Sequence, residues 1–136
     1  MGARLQYAKV IDRERFMIKG GRVHPSLENW TVCADEPGRV AAFLVMRAWT
    51  QDHGSFTEQW RIVTPGGRVA YESSPREIHI ATEVHVEKLQ DEVADLDIEF
   101  AADDYECVFV LDEREVARVR FPIVADGIAA REERGS

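Results

Sequence analysis

The chain has 136 residues, of which 45% are hydrophobic, and its formal net charge is −8. A chain of this length and composition can bury a core of its own, and wholesale disorder is excluded. Lys and Arg number 17 against 25 Asp and Glu, and the basic residues are dispersed along the chain. Nucleic-acid binding depends on a clustered basic footprint, so the composition predicts no nucleic-acid partner.

The two cysteines, Cys33 and Cys107, are far apart in the sequence. They form neither a disulfide framework nor a zinc-ligand cluster, which predicts buried thiols in a reducing compartment. The first residues lack the apolar run of a signal peptide, and no stretch approaches the roughly 20 apolar residues of a membrane span. We therefore expect a cytoplasmic protein with no membrane partner.

Alternation of apolar and polar residues is the dominant pattern of the sequence. It predicts strands over 4–11, 16–19, 39–50, 56–63, 68–72, 78–86, 95–100, 105–111 and 116–124. The segment 87–94 fits either a short helix or an irregular link. Thr64-Pro65-Gly66-Gly67 places Pro and Gly at the two central positions of a type II turn.

About eight or nine short strands separated by turn signals predict an all-β fold, an antiparallel β-sandwich, with a β-barrel as the alternative. No repeat or linker divides the sequence. We expect a single domain over residues 1–124 and a flexible C-terminal tail over residues 125–136.

Three side chains point to the same side of the predicted strand 78–86, namely His79, Glu83 and His85. Residues two apart on one face of a strand lie roughly 6.6 Å apart. Glu83 and His85 are therefore close enough to share a metal if a neighbouring strand supplies a third ligand. The structural alternative is a partly solvated sheet face with ordinary cross-strand neighbours.

Two predicted loops carry the other candidates, His24 in one and the pair Asp52 and His53 in the other. Loops hold binding and catalytic residues more often than strands do. Asp52 and His53 could serve as an acid–base pair, but no nucleophile accompanies them, and we predict a ligand-binding loop from the three residues. The sequence has no phosphate loop, Gly-rich dinucleotide turn or nucleophile elbow. It therefore predicts no catalytic residues and no cofactor.

The strand 39–50 is apolar on both faces, as is the segment 107–111. A strand of this kind needs a cover on each side, and an uncovered patch marks an association site. Phe43, Val45 and Trp49 are the predicted interface residues. The predicted partner is another protein or a second copy of this chain, which would make a homo-oligomer.

Several segments resemble a family of small bacterial proteins of unknown function. The resemblance is carried by Tyr7-Ala8-Lys9-Val10, Phe16 to Gly21, the region around Trp60 and Gly66-Gly67, Tyr105 to Leu111, and Phe121-Pro122-Ile123. It spans most of residues 3–124. It implies a β-sandwich and assigns no catalytic residues.

Three functional hypotheses follow from these patterns. The first is a non-enzymatic, intracellular interaction or self-assembly module. The second is a β-sandwich that binds a small molecule or metal through the Glu83/His85 face or the two loops. The third is a small enzyme, which requires His24, His53 and an acid to converge within hydrogen-bonding distance of about 3 Å.

Overall fold

The computed structural model describes residues 3–13, 17, 32–36, 39–40, 42–50, 53–82, 84–94, 96–98 and 102–124. Strands make up most of these residues. They are β1 (Arg4–Asp12), β2 (Val32–Glu36), β3 (Arg39–Val40), β4 (Phe43–Thr50), β5 (Gly54–Val63), β6 (Val69–Glu72), β7 (Arg76–Ile80), β8 (Glu87–Val93), β9 (Leu96–Asp97), β10 (Ala102–Leu111) and β11 (Arg114–Val124).

The described strands form two hydrogen-bonded sheets. A three-stranded sheet has the order β1-β4-β8. An eight-stranded sheet has the order β6-β5-β10-β11-β2-β3-β9, and β7 pairs with β5 beside this path. The β2–β11 pair is parallel, whereas the other described pairs are antiparallel. Neither sheet closes into a barrel in the described part of the chain. The predicted all-β antiparallel fold is confirmed.

The main core lies between the two sheets. Alternate residues of each strand point inward, because successive side chains of a strand project to opposite faces. Aromatic rings are prominent in this core: Phe43 lies 5.9 Å from Phe121, and Tyr105 lies 6.2 Å from the same ring, between ring centroids. Cys107 is fully buried among them. Burial raises the pKa of its thiol far above the ordinary value, so an inert thiol is expected.

The interface predicted on the strand 39–50 requires correction. Phe43, Val45 and Trp49 are fully buried in the core between the sheets. On the opposite face of β4, Leu44 is only 3% exposed and packs with Ile11. Both faces of this strand are therefore buried within the single chain, and no second protein is needed to cover them.

Three predicted segments differ in kind from the structure. Residues 39–50 are divided into β3 and β4, which belong to different sheets, so the chain changes sheet between them. The predicted strand 78–86 ends at Ile80, and the amide of His85 donates to the carbonyl of Thr82 at 3.1 Å in the link that follows. The segment 87–94, which fitted a helix or a link, forms β8.

The β5–β6 turn has a different geometry from the predicted type II. The amide of Gly67 donates to the carbonyl of Thr64 at 2.9 Å, which closes the turn. A type II turn needs a positive φ at Gly66, but the positive φ, 90°, belongs to Gly67. The loop is therefore a type I turn followed by a left-handed glycine, a common hairpin closure.

The β10–β11 turn consists of Asp112 and Glu113, both with positive φ, 50° and 68°. This two-residue loop is of type I′, whose twist matches that of the flanking strands. Asp112 is anchored to β5, since its amide donates to the carbonyl of Thr57 at 2.8 Å and its Oδ1 accepts from the amide of Thr57 at 2.9 Å. Among the described residues Glu113 has no comparable hydrogen bond, and its left-handed backbone is strained.

The predicted strand 16–19 and the tail 125–136 lie outside the described residues, apart from Met17 in the former. Within the described ranges, no helix has the length and apolarity that crossing a bilayer requires.

We predict that Glu113→Gly stabilises the protein by about 1 kcal/mol, because glycine removes the cost of a left-handed backbone at this position. Gly67→Ala should destabilise it by a similar amount, since an added Cβ meets no atom within 4 Å and only the positive φ opposes it. Urea unfolding of the two variants and the wild type measures both changes. Equal midpoints for Glu113→Gly and the wild type would contradict the assigned strain.

Candidate functional site

A buried ion pair joins the two sheets through the core. Nε of Arg47, on β4, donates to Oε2 of Glu58, on β5, at 2.6 Å, and Nη2 of Arg47 donates to Oε1 of Glu58. Neither side chain is more than 1% exposed. Nε1 of Trp49 donates to Oε2 of Glu58 at 2.6 Å, and Nη1 of Arg47 donates to the carbonyl of Val45 at 3.2 Å. These hydrogen bonds replace the water that both charges lose on burial.

Asp91, on β8, extends this pair toward the surface. Its Oδ2 lies 3.0 Å from Nη2 of Arg47 and accepts from Nε1 of Trp60 at 2.9 Å. Its Oδ1 accepts from Nη2 of Arg76 at 2.9 Å. Trp60 and Arg76 belong to the eight-stranded sheet, whereas Asp91 belongs to the three-stranded sheet, so this carboxylate is a second link between the sheets.

The network shifts the pKa values of Asp91 and Arg47 away from their ordinary values. Burial alone raises the pKa of Asp91, but the hydrogen bond from Trp60 and the positive charges of Arg47 and Arg76 outweigh it, so the pKa lies below its ordinary value. Burial alone lowers the pKa of Arg47, yet the bond and charge of Glu58, followed by Asp91, raise it overall. Both groups therefore stay ionised at neutral pH.

A break in the edge of the eight-stranded sheet opens a cleft beside this network. β6 pairs with the C-terminal part of β5 and β7 with its N-terminal part, and Ser73-Ser74-Pro75 lies between them. The amide of Ser73 donates to the carbonyl of Trp60 at 2.9 Å, and its hydroxyl accepts from the amide of Trp60 at 2.9 Å. Pro75 has no amide proton to extend the ladder, so the sheet edge stays open at this point.

The cleft has a volume of about 360 Å³. Its aromatic wall is formed by Trp60 and Tyr71, whose rings stack with centroids 5.4 Å apart and an interplanar angle of 27°. Trp60 is almost fully buried, whereas Tyr71 is 37% exposed. Polar and charged groups complete the lining, from Ser73, Ser74, Arg76, Asp91 and Glu92, together with Pro75. We call this site the Trp60 cleft.

The outer face of the eight-stranded sheet carries a different set of groups. Arg61, Val108 and Arg118 lie side by side on β5, β10 and β11. Val108 is buried between them, since arginine stems cover apolar surface while the charged heads remain in water. Arg120 lies two residues beyond Arg118 on the same face. We call Arg61, Arg118 and Arg120 the arginine face.

Three carboxylates accompany the arginine face, and one of them, Glu72, lies opposite Arg61 across the β5–β6 pair. Arg118 pairs with Glu115 through Nε at 2.6 Å and with Glu106 through Nη1 at 3.2 Å. The hydrogen bond from Arg118 lowers the pKa of Glu115, with a smaller contribution from the charge of Arg61. Nε of Arg61 is buried without a hydrogen-bond partner among the described residues.

The metal site predicted from Glu83 and His85 stays a prediction. Glu83 lies outside the described residues. His85 lies in the link after β7, and its Nε2 is 3.4 Å from Oε1 of Glu87. His79 makes a separate contact, between its Nδ1 and the hydroxyl of Ser55 at 3.3 Å. Among the described residues, no three His, Cys, Asp or Glu side chains are grouped as metal ligands.

The predicted ligand-binding loops are only partly described. His24 and Asp52 lie outside the described residues. His53 is exposed and borders an open, shallow depression with Ala81, Thr82 and Val84. The ligand-binding role of His24, Asp52 and His53 therefore stays a prediction, and the described residues do not test the convergence that the enzyme hypothesis depends on.

The residues of the buried network and the Trp60 cleft did not emerge as a site from the sequence. Their signal was present: Arg47, Glu58 and Asp91 each interrupt an inward-facing apolar row. A single interruption is uninformative, but charges of opposite sign on inward rows of different strands suggest mutual pairing, because unpaired charges are not tolerated in a core.

The comparisons with known proteins found similarity in structure and none in sequence. No family model matches the chain, and no curated protein is significantly similar to it in sequence. Among solved structures, it is similar to the Pseudomonas fluorescens alkylpurine DNA glycosylase AlkC bound to DNA with an abasic-site analogue, with a TM-score of 0.58 and 8% identity. The match covers 90% of this chain and 30% of the glycosylase chain. It shows a shared fold, and the present chain spans less than a third of the glycosylase.

This likeness corrects two expectations from the sequence. The chain was expected to be a non-enzymatic interaction or self-assembly module, with a small-molecule- or metal-binding β-sandwich or a small enzyme as the alternatives, and to have no nucleic-acid partner. A DNA-bound glycosylase with the same fold contradicts both. The exclusion of nucleic acid rested on the net charge, which is an average over the chain and does not reveal arginines gathered on one sheet face.

We predict that Arg47→Met and Glu58→Leu each destabilise the protein by about 3–5 kcal/mol, because each leaves the other charge buried without its partner. The double variant should recover much of this loss, since neither charge then remains. Urea unfolding of the four proteins gives the coupling energy.

The exposed pair Arg118→Met and Glu115→Leu is the matched control, with an expected coupling below about 1 kcal/mol. A coupling at the buried pair no larger than at this control would contradict its role in joining the sheets.

We predict that the wild type loses stability on acidification because of Asp91. A folded-state pKa below the unfolded value stabilises the protein above the unfolded pKa, about 3.9, and this contribution is lost as the pH falls below it. Asp91→Asn should therefore be less stable than the wild type at pH 7, and the gap should close toward pH 3. Urea unfolding midpoints of the two proteins between pH 7 and pH 3 measure this difference in stability. A difference that does not change with pH would contradict the stabilising role of the ionised Asp91.

Proposed function

We propose that this chain is a DNA-binding β-sandwich module that holds the phosphate backbone on its arginine face. The observation that carries the proposal is the fold likeness, over 90% of the chain, to part of a glycosylase solved on DNA. Such a module adds backbone contacts to the base-recognising chemistry of other domains or subunits. A cytoplasmic location belongs to the same proposal, since a buried free thiol such as Cys107 suits a reducing compartment.

The chemistry of the arginine face supports this role. Guanidinium groups match phosphate oxygens in a bidentate geometry. Arg61 and Arg118 flank Val108 on neighbouring strands of one sheet, so they are held apart without a loop having to become ordered. Arg61 is the first candidate for a phosphate contact, because Arg118 already pairs with two carboxylates.

The carboxylates on this face set the strength of the interaction. Arg118 is exposed and already paired with Glu106 and Glu115. Exposed ion pairs contribute at most about 1 kcal/mol, so a phosphate can replace a carboxylate at little cost. The net charge of −8 nevertheless repels DNA at long range. The proposal therefore implies weak, salt-dependent binding, with dissociation constants of about 10⁻⁴ to 10⁻⁶ M.

We predict that a labelled DNA duplex binds with a salt dependence set by about three phosphates, a slope of roughly −2.7 in log K against log salt. Arg61→Gln should weaken binding and reduce the slope by about 1. Glu115→Gln should strengthen binding, because it removes a carboxylate that competes with phosphate. Fluorescence anisotropy at several salt concentrations measures all three proteins.

Lys88→Gln, at an exposed position on the three-stranded sheet, is the control for a general loss of positive charge. The slope of log K against log salt for this variant should equal that of the wild type. Absence of duplex binding at low salt, or the same effect from Lys88→Gln as from Arg61→Gln, would overturn the proposal.

A further inference from the structure

We infer that the Trp60 cleft receives a single unpaired nucleotide, whose base stacks on Tyr71. This inference rests on the proposed function and names a second site for the same nucleic acid. Duplex contacts at the arginine face would then be accompanied by the capture of one exposed base at the neighbouring sheet edge.

The aromatic wall provides the stacking surface. Trp60 covers one face of the Tyr71 ring and leaves the residue 37% exposed, so its free surface is on the other face and the edge. A base that stacks there extends an existing aromatic pair. Stacking of this kind is how proteins hold unpaired bases, and it tolerates any base because each has a flat π-face.

The size of the cleft suits one such group. Its volume of about 360 Å³ is at the lower end of the range for clefts that hold small molecules. The site is lined by the hydroxyl-bearing residues Ser73 and Ser74 and by the guanidinium of Arg76, whose side chain is 44% exposed. These groups can donate hydrogen bonds to base edges or to a phosphate.

The charges around the cleft are balanced. Asp91 is paired with Arg47 and Arg76, and Arg47 is also paired with Glu58. Glu92 accepts from Nε of Arg13 at 2.7 Å. Carboxylates that would otherwise repel a phosphate are therefore each held by a cation. In a chain of net charge −8, this edge is a place where a polyanion can approach.

The cleft and the arginine face meet at β6. Tyr71 and Glu72 are consecutive and point to opposite faces of the sheet. Tyr71 faces the cleft, and Glu72 lies opposite Arg61 across the β5–β6 pair. A strand whose phosphate is bound at Arg61 therefore needs to pass only around this sheet edge to place its next base in the cleft.

The test compares a short labelled oligothymidine strand, thymidine 5′-monophosphate and a fully paired duplex as probes. The wild type should bind the strand more tightly than the mononucleotide, because only the strand also reaches the arginine face. We expect Tyr71→Ala to weaken strand binding by at least about fivefold, the lower bound for losing one stacked base. Duplex binding should change by less than about twofold, because the duplex offers no unpaired base.

Two variants separate stacking from folding. Tyr71→Phe keeps the ring and should bind the strand within about twofold of the wild type. Tyr7→Ala removes a partly buried tyrosine from β1, on the other sheet, and should leave strand binding unchanged. Photocrosslinking with a 4-thiothymidine strand should label the peptide that contains Tyr71, which a purely structural role would not produce.

The outcomes distinguish this inference from the proposal on which it rests. If Tyr71→Ala leaves strand binding unchanged while Arg61→Gln still weakens duplex binding, the inference that the cleft binds a nucleotide is wrong. The proposed phosphate binding at the arginine face then still stands. Equal losses of strand and duplex binding in Tyr71→Ala also overturn it, because they indicate a general structural effect. If neither strand nor duplex binds, the inference and the proposed function fail together.

Discussion

The buried pair between Arg47 and Glu58 is the interaction on which the arrangement of the two sheets depends. Apolar contacts between sheets are non-directional, whereas a bidentate guanidinium–carboxylate pair fixes both distance and angle. Buried ion pairs contribute little net stability compared with an apolar filling. We interpret this pair as a device for alignment: it selects the one packing in which both charges are satisfied.

That alignment continues to the surface through Asp91. The same guanidinium that binds Glu58 also binds Asp91, which in turn holds Trp60 and Arg76. Trp60, one of the two rings of the aromatic wall, is thus oriented by a chain of hydrogen bonds that begins in the core. A binding surface supported in this way is preorganised, and little side-chain freedom remains to be lost when a ligand arrives.

The sequence was most informative where a strand lies in one sheet and alternates without interruption. The hairpin of β10 and β11 and the strand β5 were predicted within a few residues. Prediction failed where tertiary pairing overrides the local pattern. The charged Asp91 at an inward-facing position interrupted the alternation that would have identified β8 as a strand. Its charge is neutralised by Arg47, which is far away in the sequence, so the local pattern could not reveal the pairing.

The continuous apolar run of residues 39–50 hid the change of sheet between β3 and β4. A run that is apolar on both faces looks the same whether a strand is continuous or divided, since periodicity carries no information about which sheet a residue joins. The same run suggested an external partner, although the covering groups belong to this chain. The turn at Gly67 shows a related limit: Pro65-Gly66-Gly67 offers two glycines for one left-handed position, and only the backbone distinguishes them.

The parallel pairing of β2 with β11 has a consequence for how the protein is made. Val32 pairs with Ile123, so the first third of the chain is bonded to the last described strand, and β2 in turn carries β3 and β9. During synthesis, the eight-stranded sheet cannot be completed until β11 has left the ribosome. Contacts between such distant segments also fold slowly. The strands made earlier therefore keep unpaired edges until β11 is available, and such edges are prone to association with other chains.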